Sequence, residues 1–189
     1  MTKKSSSIRK MNSRTISMTI VLSILGLVLA PFVWFSFLGT KAFPGQHFVN
    51  SLAGVLIGPL YGVLVPLIVG TLRIMLGLGT IFAYPGGIPG VITVGLAYKL
   101  TKKSNNPLIK YSCAFAEPVG TVLIGGTLSL LIIAPLMNIE PQLAILRQHG
   151  LLAGLVIFWA GWAVSSVPGS VIAYLTLIML SKALPQYFK

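Results

Sequence analysis

Apolar residues run along this chain in long blocks, with the polar residues gathered between the blocks rather than alternating within them. A half-buried strand alternates and a one-faced surface helix repeats every three to four residues. An unbroken apolar stretch of roughly 20 residues is instead the length that carries a helix across ~30 Å of hydrocarbon. On that basis six helices are predicted, over about 15–38, 46–58, 60–77, 88–103, 108–136 and 151–183. Only Gly58-Pro59 separates the second from the third, so the two are candidates for a tight re-entrant hairpin. Pro168-Gly169 is expected to kink the sixth, because proline removes a backbone donor and crowds the preceding turn. The segment NIEPQLAILRQHG, 138–150, is a candidate for a short interfacial helix. The expected fold class is an all-α integral membrane protein of six transmembrane helices. One membrane domain, 15–183, follows a basic tail over 1–14 and precedes a short C-terminus over 184–189.

Composition agrees with this pattern. The 189 residues are 55% hydrophobic and only 8% charged, against about 25% charged in an ordinary soluble domain. The net charge of +12 would suit nucleic acid if the basic groups shared one wet, polar face. They cluster instead at the ends of apolar blocks, so no nucleic-acid partner is expected. All but Lys41, Arg73 and Arg147 of the 14 basic residues fall on one side of a six-helix arrangement, in the N-terminal tail, around 99–110 and at the C-terminus. The positive-inside rule then places both termini in the cytoplasm of a multi-pass plasma-membrane protein. The start of the chain resembles a signal peptide, but its apolar run is too long for one and Pro31 follows the best small-residue site, so it reads as the first helix. The lone Cys113 sits in an apolar block and reads as a core residue; one cysteine offers no disulfide within the chain.

One stretch fits neither a helix nor an ordinary loop. In LGLGTIFAYPGGIPG, 76–90, seven of the fifteen residues are Gly or Pro and none is charged. Non-helical backbone at membrane depth must be buried in protein or line a cavity. The stretch is therefore predicted to be an outer lid over a pocket, presenting Thr80 and Tyr84.

Ionisable residues inside spans are costly and face protein or a watery cavity. His47 opens the second helix with Asn50 one turn on, Arg73 lies in the third, and Glu117 lies in the fifth in the run AEPVGT, which ends on Thr121. Two roles are open to Arg73: a side chain reaching the outer interface, or a cavity cation that pairs with Glu117 or donates to a ligand. Glu117 is open to a structural ion pair, to a protonated state, or to Lys99 or Lys110 as partner. Trp159 and Trp162, three apart on the last helix, suit either lipid packing or a flat wall for an aromatic ligand with Tyr84 opposite. On the first helix Thr19 and Ser23, then Gly26 and Ala30, form small-xxx-small pairs that admit a neighbouring helix closely. The chain carries no phosphate-binding loop and only two acidic residues. It is poorly equipped for ATP hydrolysis, metal-assisted or acid–base catalysis, and no metal or cofactor is expected.

The segments FPGQHFVNSLAGVLIGPLYGVLV, RIMLGLGTIFAYPGGIPG and AEPVGT followed by Gly125-Gly126 resemble, in that order, the ThiW family over about 43–128. The family comprises substrate-binding S components of energy-coupling factor (ECF) transporters. The resemblance implies an S-component-like six-helix bundle that is not itself an enzyme. It implies a coupling subunit and two ATPases as partners in the lipid bilayer, and hydroxyethylthiazole, a thiamine precursor, as substrate. It also makes Thr19, Ser23, Gly26 and Ala30 candidates for docking the coupling subunit. The candidate substrate set is His47, Asn50, Arg73, Thr80, Tyr84, Glu117, Thr121, Trp159 and Trp162. An S component for another small vitamin-like molecule, or an intramembrane enzyme using His47 and Glu117, are the alternatives.

Overall fold

The computed structural model describes residues 12–37 and 40–187; most of the basic tail and the last two residues lie outside them. Helix α1 spans Ser13–Leu29, α2 Pro44–Leu56, α3 Leu64–Met75, α4 Ala83–Thr101 and α5 Pro107–Leu136. The last helical stretch, Glu140–Ala183, is interrupted at Gly150, whose φ of 73° is left-handed. Glycine adopts that conformation without a Cβ clash, and the stretch divides there into α6 (140–149) and α7 (151–183). Helix α6 occupies the predicted interfacial segment and α7 the predicted sixth helix. Helical dihedrals continue through Pro168, so the break lies at Gly150.

Among the described residues the fold is helical apart from one antiparallel pair, β1 (Phe35–Phe37) with β2 (Thr40–Ala42), in which Phe35 pairs with Ala42. It takes the place of the last turns of the predicted first helix. The proline at 31 cannot donate to the carbonyl four residues back, and the chain turns instead, the amides of Phe32 and Val33 both donating to the Leu29 carbonyl. At the other end, Asn12 caps α1 by accepting the amide of Thr15 at 2.8 Å.

Helix α2 is the central element: 11 of its 13 residues are buried, and it packs on α1, α4 and α7. The chain leaves it through Gly58, at a left-handed φ of 97°, and α3 begins only at Leu64, four residues later than predicted. Helix α4 differs more. It starts at Ala83 rather than near 88, so Pro85, Gly86, Gly87, Pro89 and Gly90 are helical and the non-helical connection shrinks to 76–82. The first turn of a helix has amides without intrahelical partners, which makes Pro85 harmless. The glycines serve close packing. A Cβ on Gly87 would come within 2.5 Å of Pro66, and one on Gly95 within 2.6 Å of the Pro59 backbone.

Helix α5 changes pitch along its length, with a 3-10 turn over Ser112–Ala116 and π-helical turns over Val119–Gly126 and Ser129–Ile133. Pro118 cannot donate back to Ala114, and the altered winding surrounds it. Thr93 of α4 donates to the Ala116 carbonyl at 2.8 Å, tying the two helices together beside this point.

Polar residues are buried alongside an apolar core, and large apolar residues cover much of the exterior. Asn50, Ser51, Glu117, Thr121, Ser129, Ser166 and Ser170 are fully buried, while Ile20, Ile24, Leu123, Ile132, Val156 and Met179 are exposed. In water such an exterior would drive aggregation; facing lipid, it leaves only the interior to satisfy polar groups. Helix α5 and the Glu140–Ala183 stretch are long and apolar enough to cross a membrane, and α1 and α3 are apolar but shorter. The small residues of α1 face inward. Thr19, Ser23, Gly26 and Ala30 are all buried, and a Cβ on Gly26 would lie 3.1 Å from Val69 of α3 and 3.6 Å from Val49 of α2. The stripe is packed within the bundle, while the opposite face, with Ile16, Ile20 and Ile24, is open.

Candidate functional site

A cavity of about 510 Å³ opens between α2, α4 and α7. Three connections close around it: the end of the strand pair at Ala42 and Phe43, the 77–82 connection, and the start of α6 at Ile139, Pro141 and Gln142. Its polar groups are few, as in most small-molecule sites.

The cavity's inner side rests on Glu117, which is fully buried. Four side chains from three helices, α2, α5 and α7, meet its carboxylate. On Oε1, His47 Nδ1 lies at 2.9 Å, Asn50 Nδ2 donates at 3.3 Å, and Thr121 Oγ1 lies at 2.6 Å. On Oε2, the Ser166 hydroxyl donates. Thr121 Oγ1 is also 2.8 Å from the Gly86 carbonyl, so its one proton is shared between α4 and α5. Gly90 makes room for the carboxylate, since a Cβ there would lie 2.6 Å from both Glu117 Oε1 and Thr121 Oγ1. With Nδ1–H held by a carboxylate, the imidazole of His47 is fixed in orientation and its Nε2 is left for other partners. His47 lines the cavity; Asn50, Glu117 and Thr121 stand behind it.

Arg73 is 4% exposed and lines the same cavity, which excludes the interface-reaching role. It does not pair with Glu117. Its Nη1 donates to Gln46 Oε1 at 3.3 Å, Gln46 Nε2 donates to Asn50 Oδ1 at 3.0 Å, and Asn50 reaches Glu117. Nη2 donates to the Leu78 carbonyl at 3.4 Å, and the guanidinium carbon sits 3.8 Å above the Phe43 ring. Lys99 and Lys110 are not the partners of Glu117; His47 is.

The aromatic wall differs from the expected one. Trp162 lines the cavity with Phe158 and Phe82. The Phe158 and Trp162 ring centroids are 5.3 Å apart, and Phe82 meets Phe158 edge-on at 6.4 Å. Trp159 points toward α5, its indole donating to Thr127 Oγ1 at 3.1 Å. Tyr84 faces α3, its hydroxyl 2.9 Å from Thr71 Oγ1. Neither lines the cavity. Thr80 does, from the 77–82 connection. Gln46, Phe82, Phe158 and Ser165 were missed by sequence reasoning. Gln46 directly precedes His47 in a polar run that offered a signal, whereas the two phenylalanines are lost in apolar blocks.

A family model described as thiamine-precursor transporter protein (ThiW) matches residues 16–183, most of the chain. The chain belongs to the ThiW family. No curated protein and no solved structure matches it. ThiW membership and the apolar exterior together make this a membrane protein of a transporter family, and the cavity lies on residues that the ThiW match includes.

Proposed function

We propose that this chain is the substrate-binding subunit of an ATP-driven ECF importer and that it takes up hydroxyethylthiazole. The observation that carries the reading is the cavity itself, in a chain of a thiamine-precursor transporter family. It has an aromatic wall from Trp162 and Phe158, donors from Arg73, and a histidine whose second nitrogen is left available by the Glu117 contact. A planar heteroaromatic ring stacks on such a wall, its ring nitrogen accepts from a donor, and its hydroxyl has Thr80 or His47 within the lining. The cavity carries no carboxylate on its surface, which disfavours a cationic vitamin.

The same reading has six transmembrane segments with both termini cytoplasmic. The three connections around the cavity are the odd-numbered ones of such a chain and share one side, the outer one. Lys41 and Arg147 fall on that side and the lysines at 99–110 on the other, as the positive-inside rule requires. A coupling subunit and two ATPases supply the energy, since the chain has no phosphate-binding loop. Because the small stripe of α1 is buried, docking of a coupling subunit at Thr19, Ser23, Gly26 and Ala30 requires α1 to move away from α2 and α3.

The test is growth of a cell that cannot make the thiazole ring, supplied with low external hydroxyethylthiazole. Growth that depends on this chain, and on ATPase subunits that co-purify with it, is expected. Equal growth without the chain contradicts the reading.

A further inference from the structure

Arg73 has no carboxylate counter-ion. The chain contains two acidic residues: Glu117 is engaged by His47, and Glu140 pairs with Arg147 at the surface. Among the described residues the guanidinium is held by two neutral oxygens, at 3.3 Å and 3.4 Å, and by the Phe43 ring. Its Nε is buried and has no hydrogen-bond partner among the described residues. A buried cation without a counter-charge is costly, and this one borders a cavity.

A second feature lies beside it. The 19-residue helix α4 starts at the cavity, without a side-chain cap and without an acidic residue in its first turn. The amides of residues 79–82, which lead into it, donate to no other described residue, and Gly79, Thr80 and Phe82 line the cavity with Arg73. Unpaired amides and the positive end of a helix dipole favour an anion, and a guanidinium recognises a carboxylate or phosphate through paired donors. Arg73, Gly79, Thr80, Phe82 and Ala83 border one space.

We propose that the junction of α3 and α4 is an anion-binding subsite, so that the preferred ligand is a small aromatic ring bearing one anionic group, a carboxylate or a phosphate monoester. The inference rests on the thiazole reading of the cavity and sharpens it: the charged form of the ring compound, rather than the neutral alcohol, is the better ligand. The ring lies against Trp162 and the anion meets Arg73 and the free amides.

The test is calorimetric titration of the detergent-purified chain with benzoate and with three thiazoles: hydroxyethylthiazole, its phosphate monoester, and the analogue with an acetate side chain. The two anions separate a phosphate-bearing ligand from a carboxylate-bearing one. At least one of them is expected to bind about tenfold or more tightly than the alcohol, with the preference weakened by salt and lost in Arg73→Gln. Equal or tighter binding of the alcohol overturns the subsite and leaves the thiazole reading standing. That comparison uses the unaltered chain, so it decides even if Arg73→Gln does not fold. A folded Arg73→Gln that keeps the anion preference also overturns it. Binding of benzoate that depends on Arg73, with no thiazole bound, would keep the subsite and sink the thiazole reading.

Discussion

Arg73 and Glu117 sit at the two ends of one hydrogen-bonded chain and do not touch. Gln46 and Asn50, one turn apart on α2, connect them. Each amide donates toward Glu117 and accepts from the Arg73 side, so a buried cation and a buried carboxylate are linked through neutral dipoles. The carboxylate is surrounded by donors from α2, α5 and α7, which makes it the structural centre of the bundle.

Glu117→Ala is expected to destabilise the fold by about 3–5 kcal/mol, the range for removing one partner of a buried charged network. It strands His47, Asn50 and Ser166 at once. Glu117→Gln keeps the shape but brings donors where donors already point, and is expected to lie between the wild type and the alanine variant. Thermal unfolding in detergent gives the order; an alanine variant as stable as wild type would contradict it.

Gly90→Ala and Gly86→Ala separate packing from binding. A Cβ on Gly90 meets Glu117 and Thr121 at 2.6 Å, whereas one on Gly86 meets only the Trp162 ring at 3.4 Å. The first is expected to cost about 1–3 kcal/mol of stability through overpacking. The second is expected to keep stability and change ligand affinity, because Gly86 lines the cavity. Unfolding and titration of both variants check the contrast.

Trp162→Ala is expected to weaken ligand binding by about tenfold or more, the stacking face contributing about 0.5–1.5 kcal/mol beyond the apolar area it buries. Trp159→Phe and Tyr84→Phe change rings outside the cavity and lose the contacts to Thr127 and Thr71, so their affinities should stay near wild type. Titration of the three variants reads this directly, and a Trp159 effect larger than the Trp162 effect would contradict the geometry.

Cysteine substitutions test the membrane arrangement. In a Cys113→Ser background, cysteines at Thr80 and Arg147 are expected to react with an impermeant reagent applied from outside intact cells, and one at Lys103 only after permeabilisation. Ligand should protect the Thr80 position. Labelling of Lys103→Cys from outside would contradict six spans with cytoplasmic termini.

Much of this was legible in the sequence because the costs are local. A charged or amide side chain within an apolar block has to be satisfied inside the protein, so His47, Asn50, Arg73 and Glu117 stood out, and all four belong to one network. The helix face was harder to read. Residues three apart on a helix differ by about 60° in direction, enough to send Trp162 to the cavity and Trp159 to α5. Glycine was ambiguous for a different reason. It serves both turns and close helix packing, and in 83–90 the packing of α4 on Pro66, Glu117 and Trp162 decided for a helix. The strand pair after α1 was hidden because aromatic residues at 34–37 suit a span and a strand alike.

Titration of the purified chain with hydroxyethylthiazole, beside the same titration of Trp162→Ala, decides whether the cavity is a thiazole site. Saturable binding is expected at micromolar ligand or below, with one site per chain, weakened about tenfold or more in the variant. No heat at micromolar ligand, or equal binding by both proteins, would contradict it.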